Sequence, residues 1–180
     1  MKLNVQLGIV DQARWLESPN CDARPDNEVP SAIIVHCISL PPGEYGGDHI
    51  ERFFQNKLAV HEHDYFASMA HLRVSSHFLL RRDGELVQFV ATNKRAWHAG
   101  ESQCLQRARV NDFSIGIELE GLDTDSNGFT NDQYRSFNEL ITELRQHYPK
   151  IANNIFAHSD IAPGRKPDPG PFFDWLQVNF

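Results

Sequence analysis

Residues 32–40 read Ala32-Ile33-Ile34-Val35-His36-Cys37-Ile38-Ser39-Leu40, a run filled mostly by apolar and β-branched residues. Such a run is typical of a strand that is buried on both faces of a sheet. His36 stands out because a buried imidazole needs a polar partner. It is either a core histidine bonded to backbone or a metal ligand. In the second case Cys37 should not share the metal, because neighbouring side chains of a strand point to opposite faces.

A second histidine stands where a later apolar run ends. Residues 154–158 are predicted to form a short strand that finishes at His158, and the loop that follows contains Asp168 between two prolines. Proline fixes its own φ and restricts the residue before it, so this carboxylate sits on a stiff chain. A histidine and a carboxylate are two of the three protein ligands typical of a catalytic zinc. His36 is the candidate for the third ligand.

A third strand is predicted over residues 112–121, where Ile115, Ile117 and Leu119 alternate with polar or small residues. Glu118 lies on the face opposite these aliphatic side chains. A glutamate in that place is usually exposed to solvent. In a sheet that also carries His36, however, it could act on a water at the metal.

The remaining patterns predict how the chain folds around these strands. Asp83-Gly84 between two apolar runs indicates a hairpin. Helices are expected after the cap residues Asp48 and Thr130, in a short segment after Asp64, and from Pro171 onwards. We therefore expect one domain over residues 1–180, of the α/β or mixed α+β class, in which helices flank a central mixed sheet of about five strands.

Composition narrows the classes of function. The chain has 180 residues, 41% of them hydrophobic, and a formal net charge of −7, which argues against nucleic acid as the main partner. No apolar run reaches the length of a membrane span, and the first residues do not form a signal peptide. Three cysteines without Cys-x-x-Cys spacing suit a reducing compartment. We expect a cytoplasmic protein that needs neither a membrane nor an obligate protein partner.

The order of motifs resembles that of the zinc N-acetylmuramoyl-L-alanine amidases over most of the chain. The motifs that carry the resemblance are residues 35–47, 81–84, 94–100, 114–121 and 158–171. They are most similar to the cytoplasmic branch of that family, which serves peptidoglycan recycling. Asp168 fits this branch, whereas phage-type amidases often have cysteine at the third ligand. Cys37 departs from it, since asparagine is expected there, which predicts a weaker polar contact with substrate beside the metal.

The resemblance implies zinc held by three residues, His36, His158 and Asp168. It also implies that Glu118 and Lys166 are catalytic groups and that Tyr65 is a further active-site position. As general base, Glu118 would take a proton from the attacking water, and Lys166 would stabilise the oxyanion. The implied reaction is hydrolysis of the amide between (1,6-anhydro-)N-acetylmuramic acid and L-alanine in a small soluble muropeptide.

Three further side chains are expected to line the substrate groove. Arg73 and Arg109 would pair with stem-peptide carboxylates, and Trp97 would pack on the sugar or peptide. Each has an alternative place on the surface or in the core. Three other functions stay open: an amidase of polymeric peptidoglycan, a zinc peptidase of the stem peptide and a non-catalytic muropeptide sensor. The complete ligand set disfavours the sensor.

Overall fold

The computed structural model describes residues 1–25 and 28–180. Its strands, numbered in chain order, are β1 Leu3–Asn4, β2 Ile9–Val10, β3 Arg14–Trp15, β4 Cys21–Ala23, β5 Ala32–Ile38, β6 Phe78–Leu80, β7 Leu86–Gln88, β8 Lys94–Ala96, β9 Gln103–Cys104, β10 Arg107–Ala108, β11 Ser114–Glu120 and β12 Ile155–Ala157. Its α-helices are α1 His49–Phe54, α2 Asn131–His147 and α3 His158–Ile161. Short 3₁₀ helices cover Asp64–Ser68, Val110–Asp112, Pro149–Ile151 and Trp175–Gln177.

The central sheet has six strands within the described residues, in the order β12-β5-β11-β6-β7-β3. The first four run parallel to their neighbours, and β6 and β7 form the antiparallel hairpin around Asp83-Gly84. The expected mixed class is therefore confirmed, but the expected count of about five strands was one too low. The additional strand is β3, whose two residues pair with β7 through their backbones and show no alternation that a pattern could reveal.

Helix α2 covers one face of the sheet. Ile33, Val35, Ile115 and Ile117 pack there against the apolar stripe of the helix, which comprises Tyr134, Phe137, Leu140, Ile141 and Leu144. The predicted cap is present, since the Thr130 hydroxyl accepts the Gln133 N–H at 3.1 Å and the Gln133 side chain accepts the Thr130 N–H at 3.0 Å. The sheet and α2 thus share a buried apolar core on this face.

The opposite face of the sheet carries the polar side chains. Along β5, Ile34 belongs to one apolar cluster on this face and Ile38 packs against another, so His36 lies at the seam between them. The first cluster contains Val110, Phe113 and Ile161; the second contains Phe53, Phe54 and Phe66. The fold thus leaves a polar seam between two apolar walls.

The helix predicted after Asp48 is short, and the helix predicted from Pro171 does not form. Helix α1 ends at Phe54, and Asp48 makes no side-chain cap because the carboxylates of Asp48 and Glu51 pair with Arg52 and Arg14 instead. From Pro171 only the 3₁₀ turn Trp175–Gln177 forms, begun by the Asp174 side chain, which accepts the Leu176 N–H. No helix among the described residues is both long enough and apolar enough to cross a bilayer.

Candidate metal centre and active-site cavity

Strand register brings His36 and Glu118 together. The two residues are direct partners on the parallel strands β5 and β11, so their side chains leave the sheet on the same side. Both are buried, with 2% of His36 and 9% of Glu118 exposed. They lie near the carboxyl ends of the parallel strands, which is where open α/β sheets commonly bind ligands. Cys37 packs against the core on the α2 side, as the alternation predicted, and it also contributes to the lining of the cavity described below.

His158 and Asp168 reach the same place from the other side of β5. Strand β12 pairs with β5, and His158 follows it directly as the first residue of α3. The loop then folds back, because the Ser159 N–H donates to the Asp168 carbonyl oxygen at 3.0 Å. Gly170 makes this return possible: its φ is +85°, and a Cβ there would lie 2.2 Å from the Asp123 carbonyl oxygen.

Three donor atoms converge at this point. The Nδ1 atoms of His36 and His158 are 2.9 Å apart, and the Asp168 Oδ2 lies 3.3 Å from the first and 2.9 Å from the second. A tetrahedral zinc with ligand bonds of about 2.0 Å places its ligand atoms about 3.3 Å apart. The described residues thus offer a group of three that could hold a metal ion.

The chemistry of these donors also fits a zinc ion. Burial lowers the pKa of His36 to about 4, so that its imidazole is neutral and has a lone pair to give. Burial acts to raise the pKa of Asp168, but the imidazoles of His158 and His36 beside its carboxylate hold that pKa below its usual range. Two neutral imidazoles and one carboxylate are a donor set typical of catalytic zinc, which keeps a position open for water or substrate.

Glu118 is the uncommitted acid of the site. Its Oε2 is buried and has no hydrogen-bond partner among the described residues. Burial, together with the charge of Asp168, raises its pKa well above the usual value, while the charge of Lys166 acts in the opposite direction. A carboxyl group with a raised pKa and a free oxygen can both accept and return a proton near neutral pH.

One cavity joins these groups to an apolar wall. Its lining includes the three donor residues together with Glu118, Lys166 and Tyr65. Lys166 is exposed, and Tyr65 enters from the 3₁₀ helix Asp64–Ser68 with 41% of its surface exposed. The apolar wall consists of side chains for which the sequence suggested no role in the site, namely Leu40, Phe53, Phe54, Met69, Leu72 and Val74.

The three residues expected to bind substrate are not among those that line the cavity, although Arg73 and Trp97 are next in the chain to residues that do. Arg73 donates to the carbonyl groups of Ala70 and Leu72, the Trp97 backbone N–H donates to the Asn20 carbonyl oxygen at 3.3 Å, and Arg109 pairs with Asp112 at 3.1 Å. The described part of the cavity lining does not include any of the three. Their contacts with substrate stay predictions that this cavity does not support.

One lining residue was missed in the sequence. His98 lies in the motif of residues 94–100 but was assigned no role, yet its Nδ1 lies 2.9 Å from the Nε2 of His36. The sequence carried a weak signal, an imidazole between small residues in Trp97-His98-Ala99-Gly100. Nothing in that pattern identifies which side chain the imidazole contacts.

Comparison with known proteins assigns the class. The family model of the N-acetylmuramoyl-L-alanine amidases, Amidase_2, matches residues 26–171. The chain therefore belongs to this family of amidases, and the resemblance seen in its motifs is confirmed.

The relatives narrow the class further. The 1,6-anhydro-N-acetylmuramyl-L-alanine amidase AmpD of Citrobacter freundii is 54% identical over 170 residues, which cover 94% of this chain and 90% of that protein. AmpD of Escherichia coli K12 is 55% identical over 92% of this chain and 89% of its own length. A crystal structure of selenomethionine AmpD matches 99% of this chain and 100% of its own with a TM-score of 0.95 at 51% identity. The mixed α+β fold is thereby confirmed.

Proposed function

We propose that this chain is a zinc amidase that hydrolyses the amide between 1,6-anhydro-N-acetylmuramic acid and the L-alanine of small muropeptides. The observation that carries the proposal is the convergence of His36, His158 and Asp168 beside the buried carboxyl group of Glu118. The family membership and the names of the most similar relatives point to the same reaction. A solved complex of the E. coli amidase AmiD holds anhydro-N-acetylmuramic acid-L-Ala-D-gamma-Glu-L-Lys; its fold matches with a TM-score of 0.61 at 27% identity, over 86% of this chain and 58% of that one.

His36, His158 and Asp168 would hold the zinc ion. When bound, zinc supplies a Lewis acid that lowers the pKa of water and polarises a carbonyl group. The protein contributes the rigid geometry, since two ligands lie on or directly after neighbouring strands and the third lies on a loop pinned to α3. This arrangement avoids reorganisation of the ligands during the reaction.

Glu118 would move the proton. Its carboxylate takes a proton from the attacking water and then gives it to the amine of the leaving L-alanine. Burial, together with the charge of Asp168, raises the pKa of Glu118. A raised pKa makes this carboxylate a stronger base towards water than an exposed one. Since no group in the described part of the chain bonds to Oε2, that oxygen is free to face the reactants.

Lys166 and Tyr65 would contact the substrate from the two sides of the cavity. Lys166 lies two residues before Asp168, so its ammonium group can approach the oxygen that gains charge when the carbonyl group is attacked. Tyr65 presents its ring at the cavity rim, where an aromatic side chain with a polar end can pack on a sugar or a peptide.

Lys166→Met is expected to lower kcat by roughly a hundredfold to a thousandfold, as loss of one oxyanion donor typically does, while zinc stays bound. The measurement is steady-state turnover with metal content determined on the same sample. Lys150→Met is the matched control, because Lys150 is also exposed and is not among the residues that line the cavity. Unchanged kcat in Lys166→Met would remove this residue from the reaction.

The substrate proposal is tested by the products. Mass spectrometry of a reaction with a defined anhydromuropeptide should show free anhydro-N-acetylmuramic acid and an intact stem peptide that begins with L-alanine. We expect a much lower kcat/KM on purified peptidoglycan sacculi. A Glu118→Gln preparation controls for contaminating amidases. Cleavage within the stem peptide would indicate a peptidase, and equal efficiency on sacculi would indicate a wall-degrading enzyme.

Such a substrate also bears on the compartment. The recycling branch that the sequence resembles is cytoplasmic, and we propose the same location for this chain. Neither nucleic acid nor a membrane is needed by the proposed reaction, and the cavity lies within one chain.

A further inference from the structure

A directed series of hydrogen bonds begins at Ser114, the first residue of β11. Its hydroxyl donates to the Val110 carbonyl oxygen at 2.7 Å, and this uses its only proton. The same oxygen lies 3.0 Å from the Nε2 of His98. With the hydroxyl proton already engaged, this second bond forms only if His98 carries its proton on Nε2 and donates it. The neutral ring then has its lone pair on Nδ1.

The hydrogen bond between His98 and His36 then determines the tautomer of His36 at the proposed metal centre. The Nδ1 of His98 lies 2.9 Å from the Nε2 of His36. Because Nδ1 of His98 accepts this bond, the Nε2 of His36 must carry the proton. His36 is thus left with its lone pair on Nδ1. That atom is the one that converges with His158 and Asp168.

Ala99, the residue after His98, contacts the imidazole of His158. The Ala99 carbonyl oxygen lies 3.4 Å from the Nε2 of His158 and also accepts from Arg165 at 2.7 Å. With its proton on Nε2, His158 likewise has the lone pair on Nδ1 that a metal ion would bind. Two consecutive residues therefore contact the outer nitrogens of both imidazoles.

The position of this dipeptide is itself built into the fold. The Asn111 Oδ1 accepts the backbone N–H groups of His98 at 3.2 Å and of Ala99 at 2.8 Å. Opposite the ring, Gly116 on β11 has no side chain, and a Cβ there would lie 2.5 Å from the His98 Cγ. The absence of a side chain at Gly116 leaves the room that the imidazole occupies.

We infer that His98-Ala99 is a positioning segment: it holds His36 and His158 in the tautomer that presents Nδ1 to the metal, with Ser114 setting the direction of the bonds. The inference rests on the proposed function for its purpose, since it concerns the ligands of the proposed zinc ion. Partners of this kind behind a metal ligand usually contribute tenfold to a hundredfold to metal affinity.

Zinc affinity is the first test, measured by competition with a chelator. His98→Leu removes the acceptor and keeps an apolar side chain of moderate size, and we expect zinc to bind ten to a hundred times more weakly. His98→Asn can place its Oδ1 where Nδ1 lies and should recover most of the affinity. His61→Leu, at an exposed histidine outside the cavity, should leave the affinity unchanged. Equal affinity in wild type and His98→Leu would overturn the inference.

Nitrogen-15 NMR of the imidazoles gives a readout that does not depend on activity. In the zinc-loaded wild-type protein His36 and His158 should carry their protons on Nε2, and in the zinc-free protein His36 should still do so. His98→Leu should give a mixture of tautomers for His36, and the milder variant Ser114→Ala, which keeps the ring, should do so to a smaller extent. A proton on Nδ1 of His36 in the wild type would overturn the inference.

A positioning role for His98 differs from a purely structural one in what His98→Leu changes. A purely structural role predicts that this variant lowers the unfolding temperature in chelator while zinc affinity is unchanged, and this result would overturn the inference. Failure of the wild-type protein to bind zinc would overturn the proposed function. The tautomer of His36 in the spectrum of the zinc-free wild type would still decide whether the segment orients that imidazole.

Discussion

Asp168→Asn is expected to leave the purified protein without zinc and without amidase turnover. The Oδ2 of Asp168 lies within 3.3 Å of both Nδ1 atoms, so this carboxylate completes the donor group. The amide of asparagine is nearly the same size but has no charge. The two neutral imidazoles would then have to hold a doubly charged ion without an anionic ligand, which is a much poorer set for zinc.

Metal analysis and turnover on one sample provide the measurement. The wild type should contain one zinc per chain, and Asp168→Asn should contain far less, with activity at background. Asp132→Asn removes one carboxylate charge from the exposed face of α2 and should match the wild type in both respects. Retention of one zinc by Asp168→Asn, or full activity of the wild type after chelation to a negligible metal content, would contradict the proposed centre.

Glu118→Gln is expected to lower kcat by about a hundredfold to ten-thousandfold while the zinc stays bound. Glutamine fills the same place on β11 but can neither take a proton from water nor return one to the leaving amine. The three donor atoms belong to other residues, so the metal content should be unaffected. This one variant would thereby show that zinc binding and catalysis depend on different residues.

Glu44→Gln is the matched control, since Glu44 is exposed and lies outside the cavity lining. Its kcat should equal that of the wild type. The informative comparison is activity per bound zinc. If Glu118→Gln loses activity only in proportion to the zinc it loses, this glutamate has a structural role and the assignment as general base is wrong.

The buried strands and their alternation were predictable because each depends on neighbouring residues. The run around His36 and the alternating residues 114–120 became β5 and β11 within two residues of their expected ends. The capping box at Thr130 likewise acts within one helical turn. Asp48 and Glu51 had the same spacing and failed, because Arg52 and the distant Arg14 compete for their carboxylates. A local pattern cannot include a partner that is remote in the chain.

The same distinction applies to the site. Residue type and order singled out His36, His158 and Asp168 as candidate ligands, because an imidazole in a buried strand and a carboxylate between prolines are unusual enough to stand out. Glu118 stood out by its place in an alternating strand, and the role of Lys166 came from the resemblance to the amidase family. The sequence could not show that Glu118 lies beside His36, or that His98 contacts His36. Those contacts depend on the register of parallel strands and on the return of loops, where atoms many residues apart meet. The same holds for the cavity lining. Arg73, Trp97 and Arg109 are absent from its described part, whereas Leu72 and Val74 on either side of Arg73, and His98 after Trp97, belong to it. The direction in which a loop side chain points depends on how the loop packs, which the sequence pattern does not show.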